Sequence, residues 1–350
     1  MLNNRVLILA DPNSIHTKKW AEGWNMLGYD TATTGLSKNN FDNKLVFEAN
    51  IDVSGGNGKE YLKNIFKFKS ILKKYNPKII NVHYMTSYGL IGALIKRKND
   101  KIILFLMGDD VMINLNKSYI YILLAKFILN RSDLLISSSS AMTERLLKEF
   151  PLIENKILTQ QYGVDTDILN TFSQNKKNID ILTNRGWVKN SNYEILLNVL
   201  DKLSYSKALI GFQENDYTKN LIKNYSKLKE NIYPQISYAK NMKIVGESKI
   251  FISLTSSDGL SLSILEAMYL GAIPIVSDLK ANHEIIEDGV NGFLIPVNSN
   301  ILLEKIHYVL SLDETELEIM REINRKIIDK NFNMRNNFKK INTLLKSISV

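Results

Sequence analysis

The sequence predicts an α/β protein made of two doubly wound parallel sheets, and three features predict it. Short apolar runs alternate with longer segments of helical periodicity, the order of a parallel sheet whose crossovers are helices. That alternation lapses once, in the polar, turn-rich YGVDTDILNTFSQNKKN around Gly163 to Asn178, and then starts again. The chain is also 350 residues long, more than one hydrophobic core usually serves.

Taken in order, Arg5 to Ala10 reads as the first strand. Asp11-Pro12-Asn13-Ser14 is a turn and cap, and Ile15 to Leu27 is a helix stopped by Gly28. A helix from Gly58 to Tyr75 leads to a strand from Lys78 to Val82 and a helix from Gly89 to Lys98. Strand Lys101 to Leu106, helix Tyr119 to Asn130, strand Leu134 to Ser137 and helix Ala141 to Glu149 complete the first Rossmann-like domain. After the linker come strand Ile179 to Thr183, helix Tyr193 to Leu203, strand Lys207 to Gly211 and helix Tyr217 to Leu228. Two helices, Glu314 to Lys330 and Phe338 to Ser347, end the chain, and no internal repeat is visible.

The segment between them is the densest in signals. FISLTSSDGLSLSILEAMYLGAIPIVSDLKANHEIIEDGVNGFLIP, residues 251–296, gives a strand from Ile250 to Leu254 and then the turn Ser256-Ser257-Asp258-Gly259. A helix with apolar residues at Leu262, Leu265, Met268 and Tyr269 follows, closed by Gly271, and then a strand from Ile273 to Val276. In a parallel sheet the carboxyl end of a strand and the amino end of the next helix meet at a crevice. The unpaired N–H groups of the first helical turn attract an anion there. Gly259 has no side chain to keep a ligand from the backbone. Glu266 lies within an apolar helix face, where an ionised carboxylate is costly unless something pairs with it: a ligand hydroxyl pair or a structural cation. Asp258 precedes the helix and suits either an N-cap or a ligand contact.

Bulk properties narrow the setting. No apolar run reaches the length of a membrane-spanning helix, and the opening MLNNRVLILADPN reads as a strand rather than a secretory signal. Without cysteine the chain has neither a disulfide framework nor a thiolate metal site, which fits a cytoplasmic protein. The net charge is +9 and uneven: residues 1–165 hold 22 Lys+Arg against 15 Asp+Glu, the remainder 23 against 21. A basic first half suits a phosphorylated substrate or an acidic membrane surface. Nucleic acid is the weakest of the anionic partners, because no aromatic-rich basic motif appears, and none is expected to bind. The lysines equally fit ordinary solvated helix faces.

The block DGLSLSILEAMYLGAIPIVSD followed by EDGVNGF, with Asp258 and Glu266 eight apart, resembles the donor-site signature of family 4 retaining glycosyltransferases of GT-B fold. In that family the pattern is Glu-x7-Glu, so Asp258 departs from it by one methylene. The resemblance implies a GT-B architecture of two Rossmann-like domains facing a central cleft. Residues 1–163 form the acceptor-binding domain, 164–330 the nucleotide-sugar-binding domain, and 331–350 a C-terminal helix returning to the first. Tyr162 to Thr166 resembles the family's crossover segment. The implied activity is retaining hexosyl transfer from a nucleoside diphosphate sugar to a glycan or lipid-linked saccharide, without a metal or other cofactor.

The site residues follow from the same resemblance. The amides of Gly259, Leu260, Ser261 and Leu262 cradle the diphosphate, and Glu266 binds the ribose diol. Asp258 contacts hydroxyls of the transferred sugar. Arg185 and Lys189, in the loop Thr183-Asn184-Arg185-Gly186-Trp187-Val188-Lys189, match the family's cation pair, with Lys189 slightly closer to Arg185 than the pattern has it. Many relatives carry a histidine in the loop after the strand ending at Leu106. Here Met107 or Gly108 stands in that place, so no catalytic histidine carries over. His16, His83 and Asp109, each in or beside a loop following a strand, are the first domain's candidates for the acceptor side of the cleft, with Asp109 suited to orienting an acceptor hydroxyl. The lysines of the helix Lys59 to Tyr75, namely Lys59, Lys63, Lys67 and Lys74, suit docking at the inner face of a membrane. A second class is a non-catalytic GT-B pseudoenzyme or binding subunit, suggested by Asp258 and by the absent histidine. A nicotinamide-dependent oxidoreductase is disfavoured, since Asp11-Pro12-Asn13-Ser14 replaces a Gly-x-Gly-x-x-Gly turn.

Overall fold

The computed structural model describes residues 4–37, 64–116, 118–173 and 175–348. The first part of the predicted lysine-bearing helix, with Lys59 and Lys63, lies outside them; its described part is the helix Ile65–Tyr75. The chain divides into two compact units. One comprises Met1–Tyr162 with Arg335–Val350, the other Gly163–Met334.

The first unit is built on a six-stranded sheet of β1 (Arg5–Leu9), β2 (Asp30–Thr34), β3 (Ile79–His83), β4 (Lys101–Phe105), β5 (Leu134–Ser137) and β6 (Ile157–Thr159). Their spatial order is β2-β1-β3-β4-β5-β6, and every neighbouring pair is parallel. The second unit carries β7 (Ile179–Thr183), β8 (Lys207–Phe212), β9 (Ile232–Pro234), β10 (Ser248–Ser253), β11 (Ile273–Ser277) and β12 (Phe293–Ile295). They are again all parallel, in the order β12-β11-β10-β7-β8-β9. Parallel strands are covered on both faces, which is why β3 and β11 are buried along their whole length.

Each sheet is wound outward in both directions from its interior, so each has a point where the winding reverses. In the first sheet it lies between β1 and β3, and in the second between β7 and β10. Ligands of open α/β sheets bind beyond the carboxyl ends of the strands at this reversal. The loops after β1, β3, β7 and β10 leave the sheets at these reversals.

Elements missed by the sequence reading have physical reasons. β2 reads DTATT, and its threonines satisfy strand geometry by β-branching without a run of apolar residues. β6, β9 and β12 are three residues each, too short to show alternation. The helices Tyr238–Gly246 and Ser299–Ser311 were not predicted. The helix predicted over Tyr217 to Leu228 is instead Asp216–Ile222, started by a capping box of Asn215 and Thr218, with a separate 3-10 segment Ser226–Asn231. The last helix begins at Met334 rather than Phe338, and Phe338 packs edge-on against Trp20 and Trp24 within the first unit.

Several residues of the glycosyltransferase-like block serve the fold rather than a ligand. Gly271 ends the helix Leu262–Tyr269 at φ +78°, a left-handed conformation that side chains resist. A Cβ on Gly292 would lie 2.5 Å from the Pro274 ring, so glycine is needed there for β12 to approach β11. The Asn291 side chain is buried; it donates to the Ile285 carbonyl at 2.8 Å and to Asn324 at 3.0 Å.

Candidate functional site

β7 and β10 flank the reversal of the second sheet, and the loops leaving their carboxyl ends are laced together. The Asn190 amide donates to the Ser257 carbonyl at 2.7 Å, and its carbonyl accepts the Ser257 N–H at 3.1 Å. Asn192, held left-handed at φ 51°, donates to the Leu254 carbonyl at 2.6 Å and to Ser256 Oγ at 2.7 Å. Asparagine tolerates that conformation better than other side chains. Trp187 is buried and stacks on Tyr193 at 4.1 Å between ring centroids, and the Tyr193 hydroxyl donates to the Arg185 carbonyl at 2.8 Å.

The result is a fixed arginine. Arg185 Nη2 donates to Asp258 Oδ2 at 2.5 Å, and Nη1 donates to Ser263 Oγ at 3.0 Å and to Ser261 Oγ. Its Nε is buried with no hydrogen-bond partner among the described residues. The guanidinium therefore retains donor capacity, in a fork suited to phosphate oxygens.

The helix Leu262–Tyr269 starts beside this cation. Its N-cap is Ser261, so the N-cap alternative for Asp258 does not hold: the carboxylate stands three residues earlier and takes Arg185 instead. The Ser261 hydroxyl does not cap the helix either, because it is turned to Arg185 and to Ser263 Oγ, 2.9 Å away. The first-turn amides are thus left uncapped by side chain, next to a positive charge, at the positive end of the helix dipole. Gly259, Leu260, Ser261 and Leu262 are all buried at this entrance.

Glu266 lies one turn further in, with 7 % of its surface exposed, and its Oε1 accepts from the Tyr238 hydroxyl at 2.7 Å. Tyr238 opens the helix Tyr238–Gly246, which Ser237 caps. A carboxylate offers about four acceptor positions, of which this bond occupies one. Lys189 is exposed in the 3-10 turn Lys189–Ser191 and makes none of the contacts around Arg185. The structure thus groups Arg185, Asp258, Ser261 and Ser263, with Glu266 along the same helix, and leaves Lys189 outside that set.

The first sheet's reversal gathers His16 and His83. His16, in the first turn of the helix Ile15–Met26, has Nδ1 2.7 Å from the Tyr162 hydroxyl. His83 ends β3, buried among Trp20 and Phe105 at ring-centroid distances of 5.6 and 5.5 Å, and its Nε2 is buried without a hydrogen-bond partner among the described residues. Burial, with His16 adding to it, pushes the His83 imidazole down from 6.5 to about 3. Asp109 does not join them; it is exposed at the start of the short helix Asp109–Met112. Its neighbour Asp110 is fully buried and accepts the N–H groups of Met85, Met107 and Gly108 at 2.8–3.0 Å, tying the loop after β3 to the loop after β4. Burial raises the Asp110 carboxyl to about 6 even so.

These two groups give opposite pH effects. His83 takes up a proton in the unfolded chain below about pH 6.5 but in the fold only near pH 3, so its contribution to stability is present above 6.5 and is lost as the pH falls. Asp110 is protonated more readily in the fold, so it favours the folded state as pH falls through about 6 toward 4. His83→Gln removes only the first effect. Between pH 7 and 5 the variant is expected to lose on the order of 2 kcal/mol less stability than the wild type, read from urea midpoints. Identical pH slopes for the two proteins would show that His83 is not buried and neutral.

The sequence reading missed Ser263, Tyr238, Asn190 and Asn192. Ser263 was visible as a polar residue breaking an apolar helix start. Tyr238 had no signal, because its helix was not assigned.

Two open, parallel Rossmann-like units, one with an arginine and a helix amino end at its reversal point, fit the GT-B fold. A family described as glycosyl transferase 4-like matches residues 5–139, and glycosyl transferases group 1 matches residues 165–327. The chain belongs to the family 4-like glycosyltransferases of GT-B fold. It is 24% identical over 269 residues to an uncharacterized glycosyltransferase of Methanocaldococcus jannaschii, covering 73% of this chain and 72% of that one. It is also 24% identical over 216 residues to the GtfA subunit of a UDP-N-acetylglucosamine–peptide N-acetylglucosaminyltransferase of Streptococcus pneumoniae, covering 57% of this chain and 42% of that protein. Among solved structures, sucrose-phosphate synthase from Thermosynechococcus elongatus superposes with a TM-score of 0.78 at 15% identity over 98% of both chains. Anabaena HepE in complex with UDP-glucose gives 0.78 at 16% identity, over 98% of this chain and 99% of that one. At such identities the structural likeness speaks for the fold alone.

Proposed function

We propose that this glycosyltransferase moves a hexose-type sugar from a uridine diphosphate sugar to a glycan or lipid-linked saccharide, with retention at the anomeric carbon and without a metal. The observation that carries this reading is Arg185, fixed by Asp258, Ser261 and Ser263 beside the uncapped amino end of the helix Leu262–Tyr269. A diphosphate at that point meets a cation and the first-turn amides together. These groups are in place before the glycosidic bond breaks, so charge growing on the departing β-phosphate is stabilised without reorganisation.

In this reading Glu266, oriented by Tyr238, accepts from the ribose diol. Asp258 contacts hydroxyls of the sugar while keeping Arg185 in place. The departing phosphate takes the acceptor's proton on the same face, so no protein nucleophile is required. Uridine is favoured because the relative GtfA subunit is named for UDP-N-acetylglucosamine transfer and HepE was crystallised with UDP-glucose. The acceptor class carries over the sequence resemblance, with His16 and His83 on the acceptor side and a place in polysaccharide synthesis at the inner face of a membrane.

A thermal-shift series over nucleoside diphosphates tests the reading, since a ligand that binds only the folded form raises its melting point. UDP is expected to give the largest shift, and UDP-sugars are expected to be slowly hydrolysed. Absence of a shift with every nucleoside diphosphate overturns the donor site. A second reading, a non-catalytic binding subunit, is favoured by the engagement of Asp258 with Arg185. Binding without turnover across donors and acceptors would select it.

A further inference from the structure

The helix Tyr119–Arg131 is apolar on both sides. Ala125, Ile128 and Leu129 face the core of the first unit, while Tyr119, Ile120, Leu123, Leu124 and Phe127 are exposed, Ile120 at 68% and Leu123 at 50%. Positions 120, 123, 124 and 127 follow the spacing of one helical stripe. An exposed stripe of this size on a folded domain marks an interaction surface. The helix is 13 residues long, and no helix among the described residues is long and apolar enough to cross a membrane. The stripe is therefore suited to lying in an interface rather than spanning it.

Its electrostatic surroundings choose the occupant. The helix Ser87–Ile95 packs against both Tyr119–Arg131 and Ile65–Tyr75. The two outer helices hold Lys67, Lys69, Lys73, Lys74, Lys126 and Arg131 and not one aspartate or glutamate. Phe66, 78% exposed, adds an aromatic side chain among those lysines. A second copy of the chain seated on this face by a two-fold axis would bring like charges together. An anionic bilayer meets both features at once: its headgroups pair with the lysines, and its acyl boundary accepts the apolar stripe.

We propose that the exposed face of Tyr119–Arg131 inserts into the interface of an anionic membrane, with the lysines of Ile65–Tyr75 held against its headgroups. This deepens the lipid-linked-acceptor reading, on which it rests for its purpose, by assigning insertion to a particular helix instead of to lysine attraction alone.

The test uses the full chain with phosphatidylcholine vesicles, with and without phosphatidylglycerol. The native tryptophans Trp20, Trp24 and Trp187 are buried, so a Tyr119→Trp variant reports insertion by a blue shift of its emission. Sedimentation and a blue shift with the anionic vesicles are expected, weakened but not abolished by high salt. Leu123→Asp combined with Phe127→Asp is expected to lower vesicle binding by about tenfold or more while leaving the thermal shift with UDP unchanged, which shows the fold intact. Two results overturn the proposal: no binding of wild type to anionic vesicles, or undiminished binding of the doubly substituted protein. Conversion of a wild-type dimer to a monomer by the same substitutions, without vesicle binding, overturns it in favour of self-association. If wild type shows no UDP shift yet binds vesicles through this face, the donor reading fails and the membrane face stands.

Discussion

Arg185→Ala is expected to lower sugar transfer, or donor hydrolysis, by on the order of 10²–10³ in turnover, the scale for removing one preorganised charge stabiliser. The structure explains why the effect is large. The guanidinium is held by three side chains and its backbone by Tyr193, so its position is set before a substrate arrives. The substitution also removes the guanidinium that Asp258 accepts from, beside the place proposed for the diphosphate. Arg185→Lys separates these effects. It restores a positive charge near Asp258 but not the planar fork, and is expected to recover only part of the loss. Melting points should be compared alongside the rates, because an unfolded variant loses activity for another reason. Wild-type turnover from a folded Arg185→Ala protein would remove this residue from the site.

Glu266→Ala is expected to weaken nucleoside diphosphate binding by about 10²-fold, since hydrogen bonds to a charged group are each worth about 1.5–3 kcal/mol. The carboxylate is nearly buried and fixed by the Tyr238 hydroxyl, so it is presented in one orientation. Glu266→Gln keeps one acceptor oxygen, for Tyr238, but replaces the other with an NH2 donor and removes the charge, and is expected to fall between wild type and alanine. Calorimetry with UDP and 2′-deoxy-UDP makes the assignment specific. Wild type should discriminate between them, whereas Glu266→Ala should not. Unchanged UDP affinity in the alanine variant, or equal discrimination by both proteins, would contradict the ribose role.

Much of the site was legible because its parts lie close together in sequence. Asp258, Ser261 and Glu266 fall within one strand–turn–helix unit, and their spacing there is local. Arg185 was legible too, being two residues past the end of β7. What was not legible depends on strand order. That β7 and β10 are neighbours, which brings residue 185 to residues 258, 261 and 263, is set by how the sheet is wound. The same holds for His16 and His83, which meet because β1 and β3 are adjacent. Lys189 shows the converse: near Arg185 in sequence, it is turned out on an exposed 3-10 turn.

By itself the sequence determined the two-unit α/β architecture, the strand, turn and helix from Ile250 to Tyr269, and the two carboxylates Asp258 and Glu266 within it. Periodicity and turn chemistry are properties of contiguous residues. Only the tertiary structure decided that Arg185 pairs with Asp258, that Ser261 serves the arginine rather than its own helix, that Tyr238 holds Glu266, and that one helix of the first unit leaves an apolar stripe uncovered. Each of these depends on which distant surfaces are packed together, and burial by distant neighbours is not written in local pattern.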